Sequence, residues 1–265
     1  MTAHVPKKHL GQNFLVDPNI KNKIIAACRL QKDDIVLEIG PGPGALTRII
    51  AAQVKTLYAV ETDARFCEDL KRDPDLEAVK VIHGDILKYD LKSLPPGTKV
   101  IGNLPYYISS PIIERLIGHR SIFPQCFLTV QWEFGRRLTA QPHTKDYGSL
   151  SCFAQYYGDV KILFKIPPAA FRPAPRVVSC FVAITSREPQ IKAHNEPLLF
   201  DIIRTAFQQR RKKISNSLKT FANRETLAEI FAKCRINAGD RAENLSLADY
   251  IRITNAFPPR LQTSA

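Results

Sequence analysis

Between residues 34 and 183, short apolar runs, several of them β-branched, alternate with longer stretches of helical period. The strand candidates are residues 35–39, 56–60, 79–83, 99–102, 126–131, 160–164 and 178–184; segments 45–53, 64–72 and 111–117 carry apolar residues at helical spacing. Parallel strands cannot be joined by a tight turn and need a long crossover, which a helix supplies. The alternation therefore predicts an α/β fold on a doubly wound, mostly parallel, Rossmann-like sheet. Only a Pro-rich connection separates the last two strand candidates, which predicts an antiparallel hairpin at the sheet edge. Beyond residue 185 the pattern is helical throughout, with candidates at 196–208, 211–221, 224–233 and 246–254. We expect a cofactor-binding catalytic domain over residues 1–187 and a small all-helical domain over residues 188–265.

The first strand runs into the loop Glu38-Ile-Gly-Pro-Gly-Pro-Gly44. Gly40, Gly42 and Gly44 let the backbone turn sharply and approach a ligand, at the strand end where open parallel sheets bind one. A dinucleotide fingerprint needs G-x-G-x-x-G with free N–H groups for the pyrophosphate. This loop reads G-x-G-x-G, and its prolines remove two of those donors, so a diphosphate is poorly served. Glu61 closes the second strand, 21 residues beyond Gly40, where a carboxylate can accept both ribose hydroxyls of an adenosine-type cofactor. Asp85 follows the third strand and can accept the exocyclic amine of the cofactor's adenine; an Asp there also suits a turn or helix cap by itself.

After the fourth strand comes Asn103-Leu104-Pro105-Tyr106. An adenine amine is a poor nucleophile because its lone pair is delocalised into the ring. Two acceptors, the Asn103 side-chain oxygen and the Leu104 carbonyl, could hold the amine pyramidal with its lone pair aimed at a sulfonium methyl. Pro105 fixes the turn, and Tyr106 offers a ring face to the base. A base taken out of its stack costs a few kcal/mol, whereas stacking on one ring returns roughly 1–3 kcal/mol. A second aromatic wall is therefore useful, and Phe171 is the candidate; packing of its loop on the sheet is the alternative role. No general base is required, since the methylated amine is acidic enough to lose its proton.

With 45% hydrophobic and 24% charged residues among 265, the chain has the mixture of an ordinary globular protein. Its net charge of +13 points to a polyanion, nucleic acid or an anionic membrane surface. No apolar run approaches the ~18 residues that span a bilayer, and the N-terminal segment lacks a signal peptide's apolar core. We therefore expect a cytoplasmic protein with no membrane partner. Cys28, Cys67, Cys126, Cys152, Cys180 and Cys234 form no Cys-x-x-Cys pair, and the histidines lack ligand spacing, so free thiols and no metal are expected. Seven Lys or Arg and no acid stand between Ile202 and Arg224. One continuous helix there would put Arg210 on the apolar stripe, so the helix is expected to break near residues 208–210, leaving Arg210, Arg211, Lys212 and Lys213 to contact phosphates. A solvated face is the other reading of such a run.

These residues resemble the KsgA (RsmA) family of ribosomal RNA adenine dimethyltransferases. The motifs that carry the resemblance span nearly the whole chain: His9 to Leu15, Glu38 to Gly44, Glu61, Gly84-Asp85, Asn103 to Tyr106, Lys145 to Leu150, Phe171 to Ser179, Phe207 to Lys213 and Asn216 to Leu218. The resemblance implies a class I methyltransferase sheet and S-adenosyl-L-methionine as cofactor. It implies dimethylation at N6 of two adjacent adenosines in the 3′-terminal hairpin loop of small-subunit rRNA, on the immature small ribosomal subunit; separately, we expect a monomer. It also implies that Gln12, Asn13 and Leu15 contact the cofactor, with Gly40, Gly42, Glu61, Asp85 and Asn103. Tyr107, where many relatives have Asn, and Trp132, where Lys is frequent, depart from the pattern. An Erm-type methyltransferase of large-subunit rRNA, a non-catalytic RNA-binding assembly factor and an NAD-dependent oxidoreductase are the alternatives. Intact Asn103 to Tyr106 and Glu61 disfavour the assembly factor.

Overall fold

The computed structural model describes residues 4–7 and 10–258, so His9, the first residue of one quoted motif, lies outside the described residues. A two-residue strand, β1 (Phe14–Leu15), precedes helix α1 (Pro18–Cys28). The Asp17 carboxylate accepts the N–H groups of Asn19 and Ile20, and Pro18 stands in the first turn, where an N–H would have no helical partner. Neither element belongs to the expected set. The Asp-Pro pair at 17–18 is the start signal that reveals the helix.

The seven expected strands form one sheet. β2 (Ile35–Ile39), β3 (Thr56–Glu61), β4 (Lys80–His83), β5 (Lys99–Asn103) and β6 (Gln125–Gln131) run parallel in the order β4-β3-β2-β5-β6. β7 (Gly158–Ile166), the short β8 (Phe171–Arg172) and β9 (Ser179–Ser186) follow. β9 pairs antiparallel with both β6 and β7, so the later strand of the hairpin is the inner one. β2, covered on both faces, is a near-continuous apolar run; β7, at the edge, alternates exposed with partly buried residues. β8 pairs with β1 outside the main sheet.

Of the crossover helices, α3 (Ala64–Arg72) has the expected bounds and α4 (Ser109–Gly118) is slightly longer than expected. α2 (Thr47–Ala51) is shorter, because the glycine-rich loop continues as turns to Leu46.

By internal packing the chain divides into two units. The first holds residues up to Gly135 together with Gly158–Arg187; the second holds Arg136–Tyr157 and the residues from Glu188. The segment Arg136–Tyr157, expected with the sheet, instead groups with the C-terminal helices. The reason lies in its aromatic residues. α5 (Trp132–Thr139) ends and α6 (Ser149–Tyr157) lies in this segment, and Glu196, the first residue of α7 (Glu196–Gln208), accepts the hydroxyls of Tyr156 and Tyr157 at 3.1 and 2.6 Å. Tyr147, 1% exposed, meets Phe207 edge-on at 5.6 Å. The second unit also holds α8 (Ile214–Ser217), α9 (Arg224–Cys234) and α10 (Leu247–Ala256), the last started by a Ser246–Asp249 capping box. A helix over 211–221 is thereby corrected to the single turn α8. Ile214 N–H donates to the Asp240 carbonyl at 2.6 Å and Lys213 bridges to Arg241, so the backbone spends its donors outside a helix.

One buried carboxyl of the first unit lacks a full set of partners. Glu38 on β2 is 2% exposed, and its Oε2 has no hydrogen-bond partner among the described residues. Burial, reinforced by nearby Glu61, pushes its carboxyl up to about 8. The folded chain therefore keeps a proton that the unfolded chain releases near 4.5. The folded state binds more protons throughout that interval, so stability falls as pH rises from about 4.5 to about 8. Glu38→Gln should remove this loss, on the order of a few kcal/mol. Denaturant midpoints of both proteins between pH 5 and 8 check this: the variant should gain relative to the parent as pH rises, and parallel curves would contradict it.

Candidate active site

Four strand ends build one cavity of about 270 Å³ in the first unit. Its lining includes Gln12 and Asn13 from the N-terminal segment, Gly40 and Gly42 after β2, Glu61 at the end of β3, Asp85 after β4, and Asn103, Leu104, Pro105 and Tyr106 at the end of β5. Parallel strands aim their carboxyl ends the same way, which is why residues far apart in sequence meet here.

The glycine loop needs its glycines. Gly40 and Gly42 have φ of +67° and +54°, and a Cβ on Gly42 would stand 3.1 Å from the Phe14 ring. Glu61 holds this loop: its Oε2 accepts the Gly42 N–H at 2.9 Å, and its Oε1 accepts the N–H groups of Thr62 and Asp63, each at 2.8 Å. Burial raises the Glu61 carboxyl while these N–H donors oppose the rise. Asp85 forms a turn as well as lining the cavity, since its Oδ1 accepts Leu87 N–H at 2.9 Å. Two carboxylates facing one cavity, beside a loop with prolines at 41 and 43, repel a pyrophosphate and suit hydroxyls, an amine or a cation. S-Adenosyl-L-methionine has all three and no phosphate.

Asp63, 1% exposed, anchors the N-terminal wall. Its carboxylate accepts Gln12 Nε2 at 3.0 Å, Lys7 Nζ at 3.2 Å and Arg65 Nη2 at 2.7 Å. The Arg65 guanidinium holds it well below the usual carboxylate range. Asp63 is outside the sequence-predicted set. The signal that could have found it is an Asp just past β3 with an Arg two residues on.

At the end of β5, Asn103 Nδ2 donates to the Asn13 carbonyl at 2.8 Å. That bond fixes the amide, and among the described residues no donor engages Asn103 Oδ1. The Leu104 N–H donates to Thr129 O at 3.1 Å and the Ser109 hydroxyl to Pro105 O at 3.2 Å, so the turn is held from both sides. The Tyr106 hydroxyl and Ser179 Oγ share a hydrogen bond of 2.5 Å, which pins the ring at the cavity wall, and burial raises the phenol's pKa.

Three expected placements differ. Phe171 is 2% exposed and belongs to the apolar core, where it pairs in register with Leu15, so its ring offers no face to a base. Leu15, 5% exposed, sits in the same core and does not line the main cavity. Strand pairing between β1 and β8, which no local pattern announces, draws both inward. Arg210, in the second unit, is not free: its guanidinium donates to Glu243 and to the Lys145 carbonyl, each at 3.0 Å. The counter-charge missing from the local sequence comes from 33 residues away. Arg211, Lys212 and Lys213 are exposed. Among the described residues no group of His, Cys, Asp or Glu could hold a metal, and no helix is long and apolar enough to cross a membrane.

A family model described as Ribosomal RNA adenine dimethylase matches residues 3–258. The chain is 37% identical over 255 residues to the ribosomal RNA small subunit methyltransferase A of Nitrosospira multiformis, covering 96% of this chain and 97% of that protein. It is 35% identical over 256 residues to the protein of that name from Clostridium botulinum (strain Kyoto / Type A2), covering 94% and 93%. A dimethyladenosine transferase from Plasmodium falciparum superposes with a TM-score of 0.77 at 26% identity, covering 91% of this chain and 95% of the other. The 23S rRNA methyltransferase ErmE, at TM-score 0.72 and 23% identity over 92% and 99%, shares the fold. The sheet is that of class I methyltransferases, whose cofactor is S-adenosyl-L-methionine. A cavity with paired carboxylates, a fixed acceptor amide and an aromatic wall, in a chain matched along almost its whole length, places this protein in the ribosomal RNA adenine dimethylase family.

Proposed function

We propose that this chain dimethylates N6 of two adjacent adenosines in the 3′-terminal hairpin loop of small-subunit rRNA, acting as a cytoplasmic monomer on the immature small subunit. The observation that carries the chemistry is the Asn103 amide, whose nitrogen is spent on Asn13 and whose oxygen remains for the substrate. The cofactor supplies an electrophilic methyl on a sulfonium. Gln12, Asn13, Gly40, Gly42, Glu61 and Asp85 would hold it, the carboxylates of Glu61 and Asp85 taking its hydroxyls and amine. Asn103 Oδ1 and the Leu104 carbonyl each accept one N–H of the target amine, which turns its lone pair out of conjugation and towards the methyl. Pro105 keeps the turn, and Tyr106 stacks on the base. No side chain of the motif needs to remove a proton. The small-subunit target is favoured by relatives that carry that name over more than nine-tenths of the chain.

Arg211, Lys212 and Lys213 are proposed to contact rRNA phosphates, with Arg210 holding their turn through Glu243. Each of the first three changed to Ala should lower the salt dependence of RNA affinity by about one unit of slope. Arg210→Ala should act chiefly on stability. Filter binding across a salt series reads this, and an unchanged slope in the triple Ala variant would refute it.

The reading as a whole is tested by mass mapping of methylated adenines after incubating protein and cofactor with undermethylated small subunits and, separately, with naked large-subunit RNA. Dimethyladenosine pairs should arise only in the former; methylation of the large-subunit RNA alone would favour an Erm-type target. Asn103→Ala should retain S-adenosyl-L-methionine affinity by calorimetry while transfer falls by about two to three orders of magnitude.

A further inference from the structure

The wall that carries Tyr106 continues, within the first unit, into a surface the reaction above does not use. Ser179, which holds the Tyr106 hydroxyl, is the first residue of β9 and faces Gln131 of β6 on one side and Ile166 of β7 on the other. The next residue after Gln131 is Trp132, whose backbone N–H donates to the Val178 carbonyl at 2.9 Å. Across the start of β9, Lys165 of β7 reaches over the same ring, its Nζ 4.1 Å from the indole centroid. Val177 and Val178, 43% and 39% exposed, lead into Ser179, and Arg176 before them is exposed with no ion pair among the described residues. An indole with a lysine over its ring, and a segment with one free arginine and two exposed valines whose backbone bonds to Trp132, thus stand at the strand start that holds Tyr106.

We propose that Trp132 is the stacking platform for the nucleotide next to the target adenosine, with Lys165 and Arg176 taking the intervening phosphates. The proposal rests on the methyltransferase reading above. A flipped adenine on Tyr106 drags its neighbour out of any regular stack, so that neighbour's apolar face needs cover, and a π-face offers it to any base. An exposed lysine over an aromatic ring is held more weakly than a stacked base. The incoming base therefore takes the ring face, and the Lys165 ammonium moves on its flexible stem to the adjoining phosphate. The positive charge beside the indole selects a polyanion over an apolar peptide. For a substrate with two adjacent target adenosines, this platform would hold one while the other occupies the cavity.

The chain has a single tryptophan, so the indole emission of the whole protein reports on this position alone. The probe is a short single-stranded oligoadenylate RNA, titrated without methyl donor, with binding followed in parallel by the polarisation of a labelled copy. Saturable quenching in step with binding is expected. Trp132→Ala should weaken RNA binding and raise the RNA KM by about fivefold or more, leaving kcat within about twofold and S-adenosyl-L-methionine affinity unchanged. Trp132→Phe should recover most of the loss. Lys165→Ala should keep the quenching and lower the salt slope by about one unit. Binding without quenching, or a Trp132→Ala protein that binds RNA as the parent does, overturns the proposal. Quenching together with no methyl transfer to any rRNA would instead overturn the reading of the active site, so the two failures are separable.

Discussion

The hydrogen bond from Asn103 Nδ2 to the Asn13 carbonyl, 2.8 Å long, decides what the active site can do. A free amide presents either end to a ligand. Here the donor end is committed to the N-terminal segment, and the acceptor end is the one left for an amine. The bond works only if Asn13 is held still, and Asp63 supplies that by gathering Gln12, Lys7 and Arg65. The catalytic turn and the N-terminal wall are therefore one arrangement; Gly42, packed under Phe14 and tied to Glu61, joins it to the cofactor loop.

Charge placement separates this cavity from the nucleotide sites of other doubly wound sheets. A phosphate site relies on free N–H groups at a helix start. Here the helix start is delayed to Thr47, proline occupies two loop positions, and Glu61 uses the Gly42 N–H for itself. Glu61 and Asp85 leave an electronegative pocket. A cofactor with hydroxyls, an amine and a sulfonium gains from the arrangement that would expel a pyrophosphate.

Much of this was legible in the residues. The sheet could be read because buried parallel strands are apolar runs of fixed length with crossovers between them, and α3 and α7 agree with their expected bounds. The acceptor set at Asn103 and Leu104 could be read because its chemistry is local to four residues. What escaped was long-range. Phe171 looked like a base wall until β8 paired with β1, and Arg210 looked unopposed until Glu243 arrived from another element. The segment Arg136–Tyr157 carried no local sign of its attachment, which depends on Tyr156 and Tyr157 finding Glu196. Strand pairing outside the main sheet and ion pairs between distant elements leave no periodic trace, so pattern reading misses them.

The most direct measurement is a crystal structure with a non-reactive sulfonium-site analogue of the cofactor and a bound adenosine. The account predicts the adenine N6 within hydrogen-bond distance of both Asn103 Oδ1 and the Leu104 carbonyl, its ring against Tyr106, with the Asn103 to Asn13 bond kept. An adenine whose N6 meets neither oxygen, or an Asn103 amide turned so that its nitrogen faces the base, would contradict it.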